Sequence, residues 1–105
     1  MSGGDLDGDL YNVIYDNKFY PTRLVKAADY TPAKPIDIGR QVERSDMTGF
    51  FVNFMKNDAL GRIATLHVTL ADQMEEGTLN EDCIILAGLH STAVDFSKTG
   101  IPVSP

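Results

Sequence analysis

The spacing of apolar residues along this chain changes twice. From Leu10 to Tyr15 the run LYNVIY sets Tyr11, Val13 and Tyr15 on one side of an extended chain and Leu10 and Ile14 on the other. That alternation predicts a strand buried on both faces. Asp16 and Asn17 are a turn signal, and Phe19 and Tyr20 read as a short return strand that Pro21 interrupts, because proline brings no amide to a ladder. Between positions 21 and 44 no period is sustained and Pro32 and Pro35 stand close together, which predicts a long ordered loop.

From Ser45 onward the spacing becomes helical. Ser45 reads as an N-cap with Asp46 in the first turn, and Phe50, Phe51, Phe54 and Met55 form an apolar stripe over a helix at 46–57. After Gly61, the residues Ile63, Leu66, His67, Leu70 and Met74 recur every three or four positions until Gly77 stops the run. A third helix starts near Thr78 or Asn80, carries Cys83, Leu86, Ala87, His90 and Val94 on one face, and ends before Gly100 and Pro102. The short connection predicts that the second and third helices are antiparallel neighbours. Phe50, Phe51, Phe54 and Met55 read as core rather than as a base-stacking platform, since Lys56 alone among basic residues is close.

The resulting expectation is an α+β fold in three zones: an acidic loop and strand at 1–20, a proline-containing loop at 21–44, and a helical region with a tail at 45–105. A lone strand or hairpin leaves rows of amides and carbonyls unpaired. The 105 residues are therefore expected to be a segment of a larger fold, with Met1 marking the boundary of that segment.

Composition narrows the function. Hydrophobic residues make up 43% and charged residues 23%, which is globular rather than disordered. No stretch has the eighteen or so apolar residues of a spanning helix, and the N-terminus lacks a basic, apolar leader, so an intracellular protein with no membrane partner is expected, nuclear or cytoplasmic. Cys83 is the single cysteine, which excludes an internal disulfide and a Cys-type metal fold. Nine Lys and Arg against fifteen Asp and Glu give a net charge of -6, which opposes unspecific attraction to phosphate backbones.

The chemistry lies at the start, in Gly3-Gly4-Asp5-Leu6-Asp7-Gly8-Asp9. Carboxylates at i, i+2 and i+4 lie on one side of an extended chain, and Gly4 and Gly8 let the loop bend. At ~5 Å and an effective dielectric of ~20, each carboxylate pair repels by about 3 kcal/mol. A divalent cation removes that cost, and oxygen donors without nearby His or Cys favour Mg²⁺, or Mn²⁺, over zinc. Three readings are open at this point. The first is a solvated acidic turn. The second is an EF-hand, with Asp5, Asp7, Asp9 and Asp16 at loop positions one, three, five and twelve, but Leu10 stands where the obligatory glycine belongs and no helix leads in. The third is a metal site for nucleotidyl transfer, in which clustered carboxylates hold Mg²⁺ against a hydroxyl and a triphosphate.

Three blocks of sequence, SGGDLDGDLYNVIYD, FFVNFMKNDALGRIATLHVTLAD and LAGLHSTAVDFSKTGIP, occur in that order. Together they resemble the catalytic loop and two downstream helical signatures of the cellular RNA-dependent RNA polymerases of RNA silencing. The resemblance covers most of the chain and is weak only over positions 20–44. It implies that Asp5, Asp7 and Asp9 are catalytic Mg²⁺ ligands. It also implies a loop and strand in the second of two double-psi β-barrels, related to those of multisubunit DNA-directed RNA polymerases. The implied partners are template RNA, nascent RNA, ribonucleoside triphosphates and the remainder of the polymerase chain, and the implied product is double-stranded RNA for silencing. Asn57 and Lys98 fall in the downstream signatures and are candidates for lining the RNA channel, with helix capping and a solvated tail as their default roles. Ser97 stands where the family often has proline. Since the first barrel is missing, the isolated chain is expected to be inactive.

His67 and His90 fall on apolar helix faces with no carboxylate spacing that makes a ligand set, and read as packed residues. His90, Ser91 and Asp95 lack the glycine elbow that exposes a nucleophilic serine. The competing reading of the whole chain is a small acidic helical interaction module with an incidental Ca²⁺-binding or solvated Asp loop.

Overall fold

Asp46 starts the helical part of the chain. In the computed structural model, which describes residues 4–104, the Asp46 carboxylate reaches back to accept the Glu43 amide at 2.9 Å. The Arg40 guanidinium holds the same carboxylate through two hydrogen bonds of 2.7 and 2.5 Å. Helix α1 therefore runs Arg44–Asn57 with Glu43 as its N-cap, one turn-forming carboxylate serving in place of the Ser45 cap. Arg40 donation, then the Glu43 amide, hold the Asp46 carboxyl below the usual carboxylate range.

Helix α2 spans Leu60–Gln73 and α3 spans Glu81–Val94. Asp58 accepts the Leu60 amide ahead of α2, and the Asn80 side chain accepts the Asp82 amide to cap α3. Between them Gly77 adopts φ +61°, where a side chain would be strained. The two helices pack antiparallel: Cys83 lies beside His67, and Ala87 and His90 lie beside Ala64. Ile63 and Cys83 are completely buried in this hairpin.

Asp95 breaks the third helical run, and a one-turn helix α4 follows at Phe96–Thr99. Phe96 is buried, stacks on Phe54 at 5.3 Å between centroids and tilts against Phe50 at 6.1 Å. These contacts join α1 to α4. Phe51 and Met55 are exposed, because only one edge of the four-residue stripe meets Phe96. Gly100 ends α4 in the left-handed region, donating to the Phe96 carbonyl at 2.8 Å. The Ile36 amide donates to the Thr99 carbonyl at 2.9 Å, which ties the long loop to the same end of the molecule.

The expected α+β fold with a barrel strand is corrected: the described residues form helices and turns, and no strand is present among them. Leu10–Tyr15 is irregular, with Leu10 99% and Tyr15 86% exposed. The apolar alternation stated what the segment could bury, yet no strand is present among the described residues to pair with it. The expected return strand is a 3-10 turn, Asn17–Phe19. Asp16 takes the Lys18 amide on its side chain and the Phe19 amide on its carbonyl, so those amides are spent locally. The Cα radius of gyration is 17.0 Å, against about 13 Å for a compact domain of this length. Met1, Ser2 and Gly3, the first residues of the acidic block, lie outside the described residues.

Candidate metal centre

The acidic loop turns at Leu6–Gly8, and Gly8 adopts φ +130°, a backbone region that glycine alone enters freely. The Asp5 amide donates to Asp9 Oδ2 at 2.8 Å across the turn, and the Leu6 amide donates to Asp5 Oδ1 at 2.7 Å. The Tyr11 hydroxyl folds back to donate to the Asp5 carbonyl at 2.5 Å. Partial desolvation, followed by the charges of Asp9, Asp5 and Asp7, pushes the Tyr11 hydroxyl above the ordinary tyrosine range. It is therefore a protonated donor throughout the physiological range.

Asp5, Asp7 and Asp9, with Gly4, form one wall of a cleft of about 510 Å³. The end of the helical region also lines this cleft through Asp95 and Lys98, which form an ion pair of 3.9 Å with each other. The long loop closes a third side with Tyr30, Pro32 and Pro35. The loop that carries no periodicity is thus part of the site. Asp95 and Tyr30 are the lining residues that sequence reasoning missed. Asp95 stands three positions before Lys98 in VDFSKTG, which is the one signal that could have found it.

The three aspartates share this cleft, but their oxygens do not share a focus. Among the described residues no group of three or more His, Cys, Asp or Glu side chains is disposed to hold a metal ion. The loop itself supplies the reason: one oxygen of Asp5 and one of Asp9 are already engaged by backbone amides, and mutual repulsion keeps uncompensated carboxylates apart. Each carboxylate retains an oxygen outside these bonds. In donor chemistry the set fits a hard divalent cation, since oxygens are its only ligand atoms.

The remaining candidates fall elsewhere. Asn57 donates to the Asn53 carbonyl at 2.9 Å and to the Asn53 side chain at 2.7 Å, at the end of α1 and away from the cleft. Asp16 caps the 3-10 turn rather than joining Asp5, Asp7 and Asp9, which removes the twelfth-position ligand of an EF-hand. His67 and His90 face a shallow groove of about 200 Å³ between α2 and α3, while Ser91 lines the acidic cleft, so no Ser-His pair forms. A larger apolar groove of about 660 Å³ lies between Ile36, Ile38, Val42, Met47 and Phe50, and its only cation, Arg40, is committed to Asp46. No helix among the described residues is long and apolar enough to cross a membrane.

Comparison of the sequence with known proteins places the chain in a family. A family model described as RNA dependent RNA polymerase matches residues 1–105. RNA-dependent RNA polymerase 6 of Arabidopsis thaliana is 45% identical over 105 residues, covering 98% of this chain and 9% of its own length. Probable RNA-dependent RNA polymerase 2 of Oryza sativa subsp. japonica is 44% identical over 101 residues, 96% of this chain and 9% of its own. RNA-dependent RNA polymerase 1 of Schizosaccharomyces pombe is 40% identical over 107 residues, 95% of this chain and 9% of its own. The chain thus spans about a tenth of the length of the curated relatives it matches, and it belongs to the RNA-dependent RNA polymerase family.

Proposed function

We propose that this chain carries the metal-binding acidic loop of an RNA-directed RNA polymerase, with Asp5, Asp7 and Asp9 as ligands of Mg²⁺, for which Mn²⁺ can substitute. The observation that carries the reading is that these three carboxylates line one cleft in a chain of this family. Held by Asp5, Asp7 and Asp9, such a cation would supply Lewis-acid stabilisation for attack of an RNA 3′ hydroxyl on the α-phosphorus of a ribonucleoside triphosphate, the hydroxyl proton passing to solvent. The new phosphodiester extends the RNA by one nucleotide and pyrophosphate leaves. Copying a template RNA in this way makes double-stranded RNA, the substrate of RNA silencing. The remainder of the polymerase chain supplies the surfaces that grip template and nascent RNA, since this segment carries net charge -6.

Each residue then has a task. The three aspartates hold the cation. Gly8 permits the turn that sets them on one wall, and Gly4 keeps the start of that wall free of side chain. Lys98, which lines the same cleft from α4 and pairs with Asp95, offers an ammonium to RNA or nucleotide phosphate; Phe96 and Thr99, buried on either side of it, keep its backbone in place. Asn57 contributes to the RNA channel at most from a distance, through the end of α1.

The test is Asp7→Ala in the complete polymerase. RNA synthesis is expected to fall at least a thousandfold with thermal stability unchanged, and retained synthesis would refute the reading. The 105-residue chain by itself is expected to be inactive and to bind Mg²⁺ only in the millimolar range, because its carboxylates are not preorganised. Tight, stoichiometric Ca²⁺ binding by calorimetry would instead favour an interaction module.

A further inference from the structure

We infer that the loop at 17–34 is a contact surface for single-stranded template RNA, its cations meeting phosphates while Phe19 and Tyr20 stack on bases. The inference rests on the polymerase reading above. The net charge of -6 conceals an uneven distribution. Positions 17–34 hold four of the nine basic residues, Lys18, Arg23, Lys26 and Lys34, against one acid, Asp29. Outside the loop, Arg40 is committed to Asp46 and Lys98 to Asp95. Among the described residues, none of the four loop cations forms an ion pair.

A surface for single-stranded RNA needs cations free of internal partners and aromatic rings on which unpaired bases can stack. The loop supplies both. Lys18, Phe19 and Tyr20 follow one another at the 3-10 turn that Asp16 caps, and Phe19 is 69% and Tyr20 61% exposed. Every residue from 17 to 34 is exposed, and Pro21 and Pro32 keep the backbone out of a helix. The aromatic stripe of α1 has only Lys56 beside it, whereas here rings and cations interleave. Tyr30 and Pro32, toward the far end of the loop, line the aspartate cleft, so a strand that tracks the loop arrives at the carboxylates. Nascent RNA is paired with its template as it forms. The strand left unpaired, with bases free to stack, is the template, and this loop adds to the grip that the remainder of the polymerase supplies.

The test is binding of a short labelled oligouridylate to the complete polymerase without divalent metal, titrated with salt. Each phosphate contact on a single strand adds about 0.7 to the slope of log affinity against log salt concentration. Replacing Lys18, Arg23, Lys26 and Lys34 together by Gln should make that slope shallower by about 2 or more. Arg62→Gln, on α2, should leave it unchanged. Phe19→Ala and Tyr20→Ala should each weaken binding about tenfold at every salt concentration, with the slope kept and affinity for duplex RNA of the same length unaltered, since paired bases are not free to stack. Because all these side chains are exposed, each variant should melt with the parent. A parent slope in the fourfold variant overturns the inference and leaves the loop to an acidic protein segment; equal losses on duplex and single strand in Phe19→Ala and Tyr20→Ala overturn the stacking. Asp7→Ala separates this outcome from failure of the underlying reading. It should abolish synthesis and keep the parent slope, whereas synthesis retained in Asp7→Ala removes the metal reading and leaves the slope to decide the loop.

Discussion

The α2–α3 hairpin completely buries Ile63 and Cys83, whereas every residue from 4 to 43 is exposed. Both regions are rich in apolar residues, so composition does not separate them. The hairpin is self-complementary: α2 and α3 lie within one short connection of each other and completely bury Ile63 and Cys83, while Leu66, Ile84 and Ile85 stay exposed. The N-terminal region holds apolar side chains, Leu10, Val13 and Tyr15 among them, that stay solvated. It is organised by side-chain to backbone hydrogen bonds at Asp5, Asp9, Asp16 and Asp37. Asp5, Asp7 and Asp9 belong to the weakly held region. The seam at α4 has two parts: the Ile36 to Thr99 hydrogen bond reaches the N-terminal region, and the Phe50, Phe54 and Phe96 cluster holds α1.

Cutting that seam tests the contrast hardest. Phe96→Ala removes the ring that joins α1 to α4 and should cost about 3 kcal/mol in denaturant unfolding of the 105-residue chain. Amide exchange in α1 should accelerate while α2 and α3 stay protected. Equal loss of protection in all three helices would mean that they are one cooperative unit. Gly100→Ala acts on the same seam more gently. A Cβ at this position would meet Ile36 and Phe50 at ordinary contact distance, so the cost is that of the left-handed backbone at φ +75°, about 1 kcal/mol. In contrast, Leu10→Ser in the weakly held region should change stability by less than about 0.5 kcal/mol, because Leu10 is already solvated.

The smallest effect is a pH dependence at the start of α1. Arg40 and the Glu43 amide lower the Asp46 pKa in the folded state, so the stabilisation they give is present above the ordinary carboxylate value and fades as pH falls through the folded value. The Asp46 carboxyl carbon shift should titrate below the ordinary range of about 3.9. Arg40→Ala should return it there, and an unchanged midpoint would show that the pair contributes nothing.

How much of this was legible in the residues follows the same division. Helical spacing located α2, although within the expected stripe Ile63 is fully buried while Leu66 and Met74, the latter as the C-cap, stay exposed. The break at Asp95 was not legible, because one run of helical spacing continues through Val94 and Phe96 with no glycine or proline to mark it. The strand expectation at Leu10–Tyr15 failed because alternation specifies a surface to be covered without supplying the cover. At the site, the three aspartates and Gly8 stood out by type and spacing. Tyr11 did not, since its contact with Asp5 depends on a ring folding back six positions. Nor did Asp95 and Tyr30, which reach the cleft only once α4 and the long loop have been placed.

The most direct measurement is a Mn²⁺ titration of the isotopically labelled 105-residue chain, followed by paramagnetic line broadening. If the aspartate cleft gathers a cation, resonances of Asp5, Asp7, Asp9 and Tyr11 should broaden first, with those of Asp95 across the cleft next. Asp16, Asp72 and the acidic start of α3 should remain sharp until excess metal is added. Broadening that spreads evenly over all of these carboxylates from the first addition would contradict the account.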